Sequence, residues 1–114
     1  MYLSGRWDGF WVQTHVGRQS MTAFALRFDR GVVTGEGRDM VGRFVFSGNY
    51  DESTGAVRMV KQYLGKHAVL YVGHPDGEGS IQGTWSIGDH LTGPFLLRPV
   101  IQKPTGSEPI QEIG

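Results

Sequence analysis

Hydrophobic and polar residues alternate along most of this chain with a period of two. From Gly5 onward, Trp7, Gly9, Trp11, Gln13 and His15 fall on one side of an extended chain, and Arg6, Asp8, Phe10, Val12 and Thr14 fall on the other. Successive side chains of a strand point to opposite faces, so this is the signature of a sheet with one buried face. The same pattern recurs and predicts strands over residues 5–15, 21–28, 32–38, 41–50, 56–63, 66–73, 80–87 and 91–98. Glycine or proline interrupts the windows that a helix would need. The connections carry turn chemistry, as in Asp29-Arg30-Gly31, Leu64-Gly65 and the stretch from His74 to Gly79. Links this short join only antiparallel neighbours, because a parallel crossover needs about a dozen residues or more. The fold class is therefore all-β: an eight-stranded antiparallel up-and-down meander that closes into a barrel and so removes its exposed edges.

Charged residues belong in water, so the tryptophan side of the first run faces inward. Carried round the barrel, this rule places Thr22, Phe24, Leu26 and Phe28 of the second run inside, then Val33, Gly35 and Gly37, and then Phe44 and Phe46. It continues with Met59, Lys61 and Tyr63, with His67, Val69 and Tyr71, with Ile81, Trp85 and Ile87, and with Leu91, Phe95 and Leu97. Alternate turns of a meander lie at opposite ends. The end that holds the termini therefore collects Trp7, Phe28, Tyr50, Val57, Ile81 and Leu97, an apolar plug. The other end collects Gln13, His15, Thr22, Tyr63 and His67, with Asp39 in the turn at the same rim and Lys61 and Tyr71 nearer the middle. A sealed end opposite a polar, aromatic one is what an open-mouthed cup requires. Glycine recurs on the inner face, either making room for bulky neighbours or leaving a cavity.

The remaining composition narrows the classes. The chain has 114 residues, one domain's worth, and its 11 basic and 11 acidic residues give no net charge. Neutrality gives no reason to expect nucleic acid or an anionic membrane as partner. There is no cysteine, which excludes disulfides, thiolate metal sites and cysteine nucleophiles. No run approaches the roughly 20 apolar residues of a membrane-spanning helix, and a cytoplasmic location is expected. The barrel domain is expected over residues 1–98 and a proline-containing tail over 99–114. Val45, Val60, Ala68, Leu70 and Val72 face outward on neighbouring strands, as do Phe10, Val12 and Leu96 elsewhere. Exposed apolar patches mark contact surfaces, so a homo-oligomer is expected.

The opening Gly5-Arg6-Trp7, Thr34-Gly35 in the third run, Gly48-Asn49-Tyr50-Asp51 closing the fourth and Ile81-Gln82-Gly83-Thr84-Trp85 in the seventh resemble the calycin barrels, the streptavidin and avidin family most closely and the lipocalins more broadly. The resemblance spans residues 5–98. It implies an eight-stranded barrel that binds a small molecule at its open end, with Trp85 on the pocket wall. The biotin contacts of that family are not retained: the connection at Asp39-Met40 is too short for a lid, and the eighth run contains no acid.

Candidate ligand-binding residues are therefore Trp11, Gln13, His15, Asp39, Lys61, Tyr63, His67, Tyr71 and Trp85. Lys61 has two readings. In the first it meets an anionic head group; in the second it pairs with Asp39 to offset the cost of burying an amine, or a bulge in the chain turns it outward. His15, His67 and Asp39 are also a conceivable metal-ligand set, though no local spacing supports it, and no metal or cofactor is assigned. There is no phosphate-binding loop and no serine elbow. The leading expectation is a barrel that binds a small molecule, with an anionic ligand as one option. The alternatives are a filled barrel that works through its outer surface and a small barrel enzyme using Lys61 or a histidine–tyrosine pair.

Overall fold

A computed structural model describes residues 1–101. Within them lie β1 (Gly5–Gln13), β2 (Gly17–Asp29), β3 (Val32–Asp39), β4 (Arg43–Tyr50), β5 (Val57–Tyr63), β6 (Ala68–Pro75), β7 (Ile81–Ile87) and β8 (Leu91–Pro99). All neighbours are antiparallel, and β1 pairs with β8 from Trp7↔Pro99 to Trp11↔Phe95, which closes the barrel. The all-β up-and-down meander is thus the architecture. Among the described residues no helix is long and apolar enough to cross a membrane. The final strand runs one residue past the expected boundary, and the Val100 amide then donates to the Arg6 carbonyl. The rest of the expected tail, residues 102–114, lies outside the described residues.

Along the strands the inner face follows the alternation except on β2. On β2 the buried residues are Met21, Ala23 and Leu26, whereas Phe24 is 41% exposed and Thr22 lies on the outer side. The cause is a β-bulge. Ala23 pairs with Gly37 and Ala25 with Glu36, so two residues of β2 advance against one of β3 at Phe24. One extra residue reverses the parity of everything on one side of it. Phe24 is left outside near the Arg38 and Arg43 guanidinium groups, 6.0 and 5.9 Å from its ring.

The end beside the N-terminus is stoppered as expected, with one further member. Tyr2 tucks under the barrel against Trp7, Phe28 and Tyr50, and its hydroxyl donates to the Gly55 carbonyl. Trp7 donates its indole N–H to the Leu3 carbonyl. The segment before β1 therefore acts as a cap on the aromatic plug.

Several inward glycines serve strand curvature. At Gly83 an added Cβ would stand 2.0 Å from the Val72 carbonyl oxygen, so only a bare backbone permits the neighbouring strand to come this close. At Gly93 it would stand 2.1 Å from the Val12 carbonyl oxygen and 2.7 Å from the Trp85 indole nitrogen. That gap lets the Trp85 ring lie against β8 and donate to Val12 across the closure, at 2.9 Å.

The bulge makes a directional prediction. Phe24→Ser changes stability by no more than about 1 kcal/mol, as expected of a surface side chain, whereas Leu26→Ala costs about 2–5 kcal/mol. Urea unfolding of the two variants checks the parity reversal. Equal costs would place Phe24 in the core.

Candidate functional site

The lower half of the barrel is filled and the upper half is hollow. A cavity of about 390 Å³ opens between the β1–β2, β3–β4, β5–β6 and β7–β8 turns. Trp11, Tyr63, Tyr71 and Trp85 wall it, Val41, Val69, Ile87 and Leu91 fill the gaps between them, and Gln13 and His67 stand at its rim. Most expected site residues therefore meet at one place. Alternation brings Trp11 and Gln13 in from β1, Tyr63 from β5, Tyr71 from β6 and Trp85 from β7. His67 is exposed, but its ring packs on Tyr63 with centroids 5.1 Å apart.

His15 is a correction. The first strand ends at Gln13, not at residue 15, and His15 takes a left-handed turn conformation (φ 69°) that leaves it exposed. A tight turn must reverse the chain in few residues, and this interrupts the alternation that would have carried His15 inward. His15 is thus not a lining residue of the cavity. Among the described residues no three His, Asp or Glu side chains gather closely enough to hold a metal ion.

Lys61 and Asp39 lie behind the wall, not on it. Both side chains are fully buried, and Lys61 Nζ donates to Asp39 Oδ2 at 2.5 Å. This is the pairing reading of Lys61. Asp39 is the last residue of β3, where the alternation of Val33, Gly35 and Gly37 points it inward. Its carboxylate collects four donors. Lys61 Nζ, Trp11 Nε1 at 3.1 Å and the Tyr63 hydroxyl at 2.5 Å share Oδ2, and the Val41 amide reaches Oδ1 at 2.9 Å. Lys61 also donates to the Tyr71 hydroxyl at 3.1 Å and approaches Met21 Sδ at 3.6 Å. The rings of Phe44, Tyr63 and Tyr71 stand 4.4, 4.9 and 5.3 Å from Nζ. Aromatic faces at this distance favour a cation.

Electrostatics follow from this packing. Burial opposes the Asp39 charge, yet the Lys61 hydrogen bond and charge, with the Tyr63 hydroxyl and the Val41 amide, outweigh it and hold the carboxyl below its ordinary range. Burial pulls the Lys61 ammonium down to about 8, with Asp39 holding it up in part. Burial and the nearby Asp39 charge push the Tyr63 and Tyr71 phenols well above their ordinary value, so both stay protonated. At neutral pH the cluster is one ion pair ringed by neutral donors.

The consequence for the cavity is chemical. Trp11 spends its N–H on Asp39, Tyr63 its O–H on Asp39, and Trp85 its N–H on Val12, while the Tyr71 oxygen accepts from Lys61. The walls turn their polar atoms into the protein and their faces to the cavity. Alternation also puts Val69, Ile87 and Leu91 on the inner face, but their apolar side chains carry no chemistry that marks them as site residues. Alternation along the expected strand 41–50 turns Val41 outward, but β4 begins at Arg43 and Val41 sits in the β3–β4 turn, where the hydrogen bond that its amide donates to Asp39 holds it beside the cavity. Met21 was hidden by the bulge.

Fold and site together define a β-barrel with an open, aromatic-walled cup. No protein-family model matches the chain, and no curated protein is similar to it.

The ion pair yields a double-mutant test. Asp39→Asn leaves a buried ammonium without its counter-charge and destabilises by about 3–5 kcal/mol at neutral pH, and adding Lys61→Met recovers most of that loss. The pH dependence has a definite sign. In the wild type, the depressed Asp39 value gives stability that is present above its unfolded value of 3.8 and lost as pH falls through the lower folded value. In Asp39→Asn the Lys61 value drops below the wild-type figure of about 8 while the unfolded value stays at 10.5. The unfolded chain then binds the extra proton, so the stability of this variant rises with pH by up to about 1.4 kcal/mol per unit within that window. Urea unfolding from about pH 6 to about pH 9 reads the slope. A flat profile would show that Lys61 is not the titrating group.

Proposed function

We propose that this protein is a calycin-like binding barrel that takes a small, uncharged, predominantly apolar or aromatic molecule into its open half. One observation carries this reading: a cavity of about 390 Å³ whose aromatic walls have their hydrogen-bonding atoms engaged within the protein. Its size falls in the range of small-molecule pockets, and apolar linings with a few polar groups at fixed positions are the common design. The polar side chains left facing the opening are Gln13 and His67, so a ligand presents its polar tip at the rim and its apolar body to Trp11, Tyr71 and Trp85. The closed eight-stranded meander supports kinship with the calycins, and the missing biotin contacts argue for a different ligand.

The anionic head group considered from the sequence has less support. Lys61 is fully buried, its ammonium is engaged by Asp39 and Tyr71, and it does not line the cavity. An anion reaching it would have to displace Asp39. An enzyme reading built on Lys61 meets the same obstacle, since the amine whose acidity is shifted among the described residues lies behind the wall.

Titration with the neutral fluorophore phenylnaphthylamine, against its sulfonated analogue, tests the proposal. The neutral probe is expected to bind saturably and to quench Trp11 and Trp85. The sulfonate binds at least about tenfold more weakly, the equivalent of 1.4 kcal/mol. Val69→Trp, which fills the cavity, is expected to abolish binding. Saturable binding that survives Val69→Trp, or equal affinity for both probes, would overturn the reading, as would no binding by the wild type together with no co-purifying mass in native mass spectrometry of protein from its own host.

A further inference from the structure

The chain carries no net charge, yet charge and apolar surface are unevenly divided between the two ends of the barrel. Four turns ring the open end, and each, or the residue beside it, holds one large aliphatic side chain in solvent. Val16 of the β1–β2 turn is 47% exposed, Met40 of the β3–β4 turn 66%, Leu64 of the β5–β6 turn 56%, and Leu91, the first residue of β8, 46%. In these turns or within two residues of them stand the exposed basic residues Arg18, Arg38, Arg43 and Lys66, against one exposed acid, Asp89. Asp39 belongs to the same stretch but is buried and paired with Lys61. Glu36, deeper on the wall, lies 3.5 Å from Arg43. By the same measure the plugged end carries Asp29, Asp51, Glu52, Asp76 and Glu78 against Arg6, Arg30, Arg58 and Arg98. Four of those five acids lie in turns, where an approaching surface meets them first. Met1, Leu3, Val32 and Ile101 are exposed at that end too, but in the company of those acids.

We propose that the open end of the barrel docks mouth-down on an anionic lipid bilayer, with Val16, Met40, Leu64 and Leu91 entering it and the surrounding basic side chains meeting lipid phosphates. Two observations choose this occupant. The first is charge complementarity. Apolar side chains fringed by arginine and lysine bind anionic lipid through buried apolar area and electrostatic attraction together. The excess of basic residues at the mouth, set against acidic turns at the far end, also orients the barrel in the field of such a surface. The second is the layout of the aliphatic side chains. A protein interface has a contiguous apolar core. Here the four side chains stand on separate turns around an opening, and the centre of the ring is the cavity itself. A rigid partner resting on that ring would leave the opening beneath it unfilled, whereas fluid acyl chains close over each tip separately. Leu91 belongs to both the cavity lining and the exposed rim, so the apolar surface runs without a break from the cup to its edge. The docking stands independently of what the cavity holds. A direct passage from bilayer to cup for an apolar molecule would rest, in addition, on the ligand reading above.

Co-sedimentation with sucrose-loaded vesicles tests it, comparing phosphatidylcholine alone with an equimolar mixture of phosphatidylcholine and phosphatidylglycerol. The wild type is expected to bind the mixed vesicles at least about tenfold more tightly than the neutral ones, and to lose most of that preference in concentrated salt. The double variants Met40→Glu with Leu64→Glu, and Arg18→Glu with Arg38→Glu, each weaken binding at least about tenfold. Val32→Glu, at the plugged end, leaves it unchanged. Circular dichroism confirms that each variant is folded, and the lipid and salt comparisons on the wild type decide the matter if one is not. No binding of the wild type to mixed vesicles, or equal binding to both kinds, would overturn the proposal. So would folded Met40→Glu, Leu64→Glu protein that binds as the wild type does. Equal or tighter binding to soluble polyglutamate would overturn it too, by assigning the rim to an acidic polypeptide. Vesicle binding is read with no ligand present, so its failure leaves the probe titration standing, and the converse holds.

Discussion

A sheet has two edges, and each edge is a row of unpaired amides and carbonyls that must find partners. Here β1 and β8 satisfy each other from Trp7↔Pro99 to Trp11↔Phe95, and much else follows from that closure. Closing eight strands fixes a circumference and thereby an interior volume. The side chains available must then fill that volume or leave part of it empty. At the terminal end Tyr2, Trp7, Phe28 and Tyr50 fill it. At the other end the aromatic rings line the wall and the centre remains open. Closure also demands strong bending, which explains why inward glycines such as Gly83 and Gly93 sit where neighbouring backbone leaves no space for a Cβ.

The Lys61–Asp39 pair determines what kind of space that is. A charge in a low-dielectric interior must be paired and hydrogen-bonded, and the four donors on Asp39 meet that condition. In doing so they recruit the polar atoms of Trp11 and Tyr63, and Lys61 recruits the Tyr71 oxygen. A residue pair that looks like an anion anchor therefore has the opposite effect. It withdraws polar groups from the cavity and leaves ring faces behind. It also ties the β3–β4 turn to the barrel interior through the Val41 amide, which brings Val41 to the cup's mouth.

Much of this was legible in the residues, and the failures are local. The period-two pattern gave all eight strands, their order and the asymmetry of the two ends, because a pleated strand translates sequence parity directly into facing. It failed at Phe24, where a bulge advances β2 by one residue, and at His15, where a turn interrupts the strand. Neither event has a local signature here: Thr22 and Phe24 are as plausible inside as Met21 and Ala23. Of the candidate residues, Trp11, Tyr63, Tyr71 and Trp85 reach the wall and Gln13 and His67 the rim, while Asp39 and Lys61 lie beneath it. Val69, Ile87 and Leu91 carry no polar group, so nothing in their chemistry distinguishes a cavity wall from an ordinary core.

Sequence alone determined the secondary structure, the antiparallel connectivity and the side of the sheet on which nearly every residue lies, because these depend on alternation and on turns a few residues long. Only the tertiary structure decided that Lys61 faces Asp39, that Trp85 reaches across the seam to Val12, and that the interior opens into a cavity at the end away from the plug. Each of those is a contact between residues distant in the chain. Its outcome depends on barrel circumference and strand stagger, quantities shared by all eight strands and written in none of them singly.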